Sequence, residues 1–128
     1  MVNRYFARTR KLRRSDGFTL LELLVVVAVV GILAAIVIQQ FNIYRSRAID
    51  TQMRSDLKSA AMAMESYFAD FQSYPTSVGG IKTVGFRQSS GVSLVINVTS
   101  PSTFTLTASK PSGTQASYMF DSTTGLIN

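Results

Sequence analysis

The sequence predicts an α+β fold: a long N-terminal α-helix, apolar in its first half and amphipathic in its second, packed on a small three- to four-stranded antiparallel β-sheet. Three observations carry this. An apolar run fills residues 18–38, hydrophobic residues at steps of three and four follow over 39–72, and period-two alternation broken by Pro and Gly occupies 73–128.

Charge and composition come first in chain order. Of thirteen Lys and Arg residues, six lie in the first fourteen positions, and Asp16 is the only acid before Glu22. Residues 1–17 therefore hold nearly all of the net +6, and the body from Phe18 onward is almost neutral. A basic arm for nucleic acid would be backed by further basic or aromatic contacts, whereas here an apolar run follows at once, so no direct nucleic-acid partner is expected. The chain has no Cys and no His. That excludes a zinc site, a disulfide framework, a thiol nucleophile and a His-based triad, so neither an enzyme nor a metal or cofactor site is expected.

Residues 18–38 read FTLLELLVVVAVVGILAAIVI, with Thr19 and Glu22 the only polar members. As a helix rising about 1.5 Å per residue, this run covers about the 30 Å core of a bilayer. A body of this size has too little core to wrap such a segment. The basic arm before it places the N-terminus in the cytoplasm and everything after Ile38 outside. The run is too long for a secretory signal peptide, whose apolar stretch spans roughly 7–15 residues.

Glu22 is costly within such a run and is a functional candidate on that ground alone. Lying four residues into the run, it also comes within reach of the headgroup region. A cut between Gly17 and Phe18 would create an α-amino group one helical turn from this carboxylate.

The string Arg13-Arg14-Ser15-Asp16-Gly17-Phe18-Thr19-Leu20-Leu21-Glu22, followed by LLVVVAVVGILAAI, resembles the N-terminus of type IV prepilins and of the pseudopilins of type II secretion. The resemblance covers residues 10–45. It implies that a prepilin peptidase removes the leader 1–17 by cutting after Gly17 and that Phe18 becomes N-methylated. It also implies that the amine pairs with Glu22 of an adjacent subunit, so that buried charges compensate one another in a helical filament. Gly17 suits the cut because a protease must approach the backbone closely there. Small residues Ala28, Gly31, Ala34 and Ala35 would let helices come close. Relatives commonly carry Pro where this chain has Gln39; Gln39 keeps its N–H, which puts their usual kink in doubt, while Gly31 could still weaken the helix.

Beyond Gln40, Phe41, Tyr44, Ala48, Met53, Leu57, Ala60, Met64, Phe68 and Phe71 form the expected stripe of an amphipathic helix. Arg45, Arg47, Asp50, Arg54, Asp56, Lys58 and Glu65 fall between them as the polar remainder. The helix should end before Ser73-Tyr74-Pro75, because the residue preceding Pro is pushed to extended geometry. Residues 76–90 read as a loop with a short strand at Val84–Phe86. The sets Val92/Leu94/Ile96/Val98, Phe104/Leu106/Ala108 and Tyr118/Phe120 then read as strands with one face inward, with turns at Pro101 and Pro111-Ser112-Gly113. Asp121 with Gly125 reads as a turn.

The expected function is structural: a prepilin in the inner membrane, C-terminus outside, delivered by an assembly platform into a homo-oligomeric type IV pilus-like fibre. The alternatives are a pseudopilin of a periplasmic type II secretion pseudopilus and, less favoured, an anchored binding domain that does not polymerise.

Overall fold

The computed structural model describes residues 17–128. The leader predicted over 1–17 lies, apart from Gly17, outside the described residues. The chain divides into two units, one ending at Val37 and the other spanning Ile38–Asn128.

In the first unit, Gly17, Phe18 and Thr19 precede helix α1, which begins at Leu20. Every described residue of this unit is exposed, as a sequence apolar on all sides requires when nothing covers it. α1 is long and apolar enough to cross a membrane, and no part of its apolar window is buried among the described residues.

The second unit holds the rest of α1, which runs to Phe71, a short helix α2 (Val78–Thr83) and strands β1 (Ser93–Ser100), β2 (Thr103–Ser109), β3 (Ser117–Asp121) and β4 (Leu126–Ile127). The strands form one antiparallel sheet in the order β1-β2-β3-β4. Simple sequential order follows from the short turns, which let each strand pair with the next. The alternation works as expected: Leu94, Phe104, Leu106, Ala108 and Tyr118 turn inward against Met53, Leu57, Ala60 and Met64 of α1. Each such burial contributes about 1.5–3 kcal/mol for the larger side chains.

The stripe predicted on α1 is shorter than its sequence pattern. Met53, Leu57, Ala60 and Met64 are buried and Phe68 is half-buried, but Phe41, Tyr44, Ala48 and Phe71 are exposed. The sheet and its loops cover only the middle of the amphipathic half, so apolar residues before and beyond it meet solvent. α1 closes where expected. Gln72 adopts φ 54° and its N–H donates to Phe68 O at 2.8 Å, a left-handed cap that Pro75 then prevents from extending. Both Gly31 and Gln39 are helical within α1.

The expected strand at Val84–Phe86 is not formed; helix α2 takes up the preceding residues instead. Gly85, at φ 98°, donates to Lys82 O, and Phe86 N–H donates to Ile81 O. These paired bonds cap α2 and use the N–H that a strand would need, while Phe86 joins Ile81 in the core. Strand β4 adds a fourth member that the sequence pattern did not reveal. The Asp121–Gly125 turn leading to it is as expected, with Asp121 Oδ1 accepting from Thr123 N–H and Oγ1 at 2.8 and 2.6 Å. Those bonds hold the Asp121 carboxyl below its usual range.

Candidate functional site

The site begins where α1 begins. A helix start leaves its first N–H groups without intrahelical partners. Here Thr19 and Glu22 satisfy two of them reciprocally: Glu22 N–H donates to Thr19 Oγ1 at 3.1 Å, and Thr19 N–H donates to Glu22 Oε2 at 3.0 Å. Thr19 Oγ1 also donates to Glu22 Oε2 at 2.9 Å. Thr19-Leu-Leu-Glu22 is thus a capping box, a second role for the carboxylate that the sequence reading missed. The Thr-x-x-Glu spacing before an apolar run is the signal that locates it.

Phe18 stands immediately before this cap and is 71 % exposed. Among the described residues, a Cβ added to Gly17 meets nothing within 4 Å, so their packing does not demand Gly at that position. The same holds for Gly31. Ala28, Gly31, Ala34 and Ala35 are all exposed. At 3.6 residues per turn, Ala28, Gly31 and Ala35 share one face of α1, and Ala34 lies to its side. The structure thus brings Phe18, Thr19 and Glu22 together at the helix start and leaves the small residues as a separate surface further along.

A second group of polar side chains lies in the other unit, and sequence reasoning placed it wrongly. Asp50 and Asp56, assigned to the polar remainder of α1, are both buried. Asp56 Oδ2 accepts from Ser89 N–H at 2.9 Å and Oδ1 from Ser89 Oγ at 2.7 Å. Asp50 receives the equivalent pair from Thr114, its Oδ1 accepting the N–H at 2.9 Å and its Oδ2 the hydroxyl. Burial pushes the Asp50 carboxyl up, but hydrogen bonds from Thr114, the Gln115 backbone and the Tyr118 hydroxyl together hold it below the usual carboxylate range. Gly113 makes the approach possible, since a Cβ there would lie 2.6 Å from Asp50 Oδ1. The Arg54 guanidinium covers the Tyr118 ring at 4.5 Å from its centroid. These contacts fasten the loops before β1 and before β3 to α1. Among the described residues, no three His, Cys, Asp or Glu side chains gather as metal ligands would.

Comparison with known proteins agrees with this arrangement. The family described as the prokaryotic N-terminal methylation motif matches residues 12–38. The chain is 33 % identical over 104 residues to the type IV wide pilus major component PilA4 of Thermus thermophilus, a match covering 80 % of this chain and 79 % of that one. It is 38 % identical over 72 residues to the type II secretion system core protein G of Pseudomonas aeruginosa, covering 56 % and 51 % of the two chains. Against the type IV major pilin protein PilA of Myxococcus xanthus it is 41 % identical over 61 residues, 48 % of this chain and 28 % of that one. The chain therefore spans about four fifths of the first relative, half of the second and under a third of the third. A long N-terminal helix whose apolar part lies within this motif, followed in the chain by four antiparallel strands, defines the pilin class of protein. The chain belongs to the type IV pilin and type II secretion pseudopilin family.

Proposed function

We propose that this chain is a prepilin, cut between Gly17 and Phe18 by prepilin peptidase, methylated at the Phe18 amine and polymerised into a type IV pilus-like filament. The observation that carries the reading is the wholly exposed apolar run of α1 with one carboxylate, Glu22, a turn from the expected new N-terminus. In the membrane, lipid covers this run; in a fibre, other copies do. Helix-to-helix burial would leave the Glu22 carboxylate needing a cation, and the Phe18 ammonium of a neighbour supplies one of opposite charge. The exposed small residues Ala28, Gly31, Ala34 and Ala35 support close approach of the helices that bring these groups together. Gly17 is consistent with a peptidase requirement, because nothing among the described residues calls for Gly there.

The match over most of both chains to a wide-pilus component favours the pilus. A pseudopilus subunit is the second reading, supported by the similarity to core protein G over 56 % of this chain. Electron microscopy of sheared surface fractions, with peptide mass spectrometry for N-methylated Phe18, tests the proposal. Surface fibres containing the processed chain are expected; the chain confined to periplasmic fractions would favour the pseudopilus, and an unprocessed N-terminus would remove both readings.

A further inference from the structure

We propose that the outward face of α1 in the head-bearing unit is a self-recognising strip, on which Met62 and Glu65 of one copy dock on Tyr44 and Arg47 of a second, parallel copy shifted by about 27 Å along the helix. The inference rests on the polymerisation reading and specifies its register. Four basic and four acidic residues lie on α1 between Gln40 and Phe71, a neutral balance in the sequence. Burial changes that balance. With Asp50 committed to Thr114 and Asp56 to Ser89, no exposed acid remains on α1 between Arg45 and Met62, and the first to follow is Glu65.

Tyr44 and Met62 are 64 % and 68 % exposed, large apolar groups that no part of the head covers. They are separated by eighteen residues, as are Arg47 and Glu65. Eighteen residues make about five helical turns, so all four lie along one face, with the two pairs about 27 Å apart. Because both pairs have the same separation in the same direction, one parallel shift satisfies both. An antiparallel partner that seated Met62 on Tyr44 would bring Glu65 to Phe41 instead of Arg47. Two smaller shifts that keep this face in contact fail on charge: seven residues set Arg54 against Arg47, and eleven set Lys58 against Arg47. At eighteen, the thioether of Met62 meets the Tyr44 ring, a favourable sulfur-aromatic contact, and Lys58 meets uncharged Gln40.

Glu65 is oriented for this role. Its Oε1 accepts from the Tyr74 hydroxyl at 3.0 Å, and Tyr74 is itself held between Phe68 and Phe104, with ring centroids 4.7 and 4.8 Å away. The second oxygen is left for Arg47 of the neighbour. Each copy gives one end of the strip and receives at the other, so the contact is heterologous and propagates along a screw axis rather than closing.

The absence of Cys from the chain provides the test. In the double variant Tyr44→Cys/Met62→Cys the two sites are about 27 Å apart within one copy, far beyond disulfide reach. Mild oxidation of cells producing the full chain should therefore give a ladder of dimers, trimers and higher species on non-reducing gels, and neither single variant should give one. A ladder from Ser55→Cys/Met62→Cys with none from Tyr44→Cys/Met62→Cys would overturn the register. Where the cysteine pair itself prevents assembly, charge exchange decides: Arg47→Glu and Glu65→Arg should each lower fibre yield at least tenfold, and their combination should restore it. Single variants that assemble like wild type, or a combination that stays defective, would overturn the proposal. Wild-type preparations without fibres would overturn the polymerisation reading and the register with it; fibres without a ladder would overturn the register alone.

Discussion

Asp56 on α1 and Ser89 in the loop before β1, thirty-three residues apart, are joined by two hydrogen bonds to one carboxylate. The carboxylate is nine-tenths or more buried, so the pair is shielded from competing water. Removing it strands two donors. Asp56→Ala should therefore destabilise the head by about 2 kcal/mol, whereas Asp56→Asn, which keeps one acceptor, should cost about half as much. Urea unfolding of the detergent-solubilised chain, followed by tyrosine fluorescence, measures both; an unchanged midpoint in Asp56→Ala would show that the pair contributes nothing net.

The Asp50 carboxyl, held below its usual range in the folded chain, makes stability depend on acid. A carboxyl with a lower pKa folded than unfolded adds stability wherever it is ionised in both states. That contribution is complete at neutral pH and is lost as pH falls through the ordinary carboxylate range toward the folded pKa. Asp50→Asn should melt below wild type at neutral pH and converge with it in acid. Parallel melting differences at every pH would contradict this account.

Gly113 is fixed by the same contact. A methyl group there would also meet Gln115 O at 3.0 Å and Met53 Cε at 3.1 Å, so it cannot be absorbed by moving Asp50 alone. Gly113→Ala should cost about 1–3 kcal/mol, part of it by displacing Asp50 from Thr114. Combined with Asp50→Asn, its cost should fall below the sum of the two single effects, which a double-mutant cycle would detect.

These contacts also mark where the sequence was legible and where it was not. Leu94, Phe104, Leu106 and Tyr118 declare an inward face because burial repeats every second residue, and Met53, Leu57, Ala60 and Met64 do so at helical spacing. Asp50 and Asp56 occupy helix positions that a charge pattern assigns to solvent. Only their partners Thr114 and Ser89, many residues away in loops without periodicity, make burial tolerable. Strand β4 is two residues long and α2 six, both too short for any period to register. At the N-terminus the reverse holds. Gly17, Phe18 and Glu22 stand out in sequence because they fall in the N-terminal methylation motif, and the Thr19–Glu22 cap lies within the same pattern.

Glu22 thus has two candidate roles, and substitutions that separate cap from charge decide between them. Gln at the third helical position can still accept from the Thr19 N–H, so Glu22→Gln preserves the capping box while removing the charge. Thr19→Ala does the opposite, leaving the carboxylate ionised and the reciprocal bond lost, at a cost of about 1 kcal/mol to the helix start. If the carboxylate compensates a neighbour's ammonium, Glu22→Gln should be cleaved normally yet yield few or no fibres, and Thr19→Ala should assemble. If its only task is to cap α1, Glu22→Gln should assemble like wild type and Thr19→Ala should be the defective variant. Gly17→Val serves as the control for processing: it should retain the leader and its mass on immunoblots, so that an assembly defect with normal cleavage can be assigned to Glu22 itself.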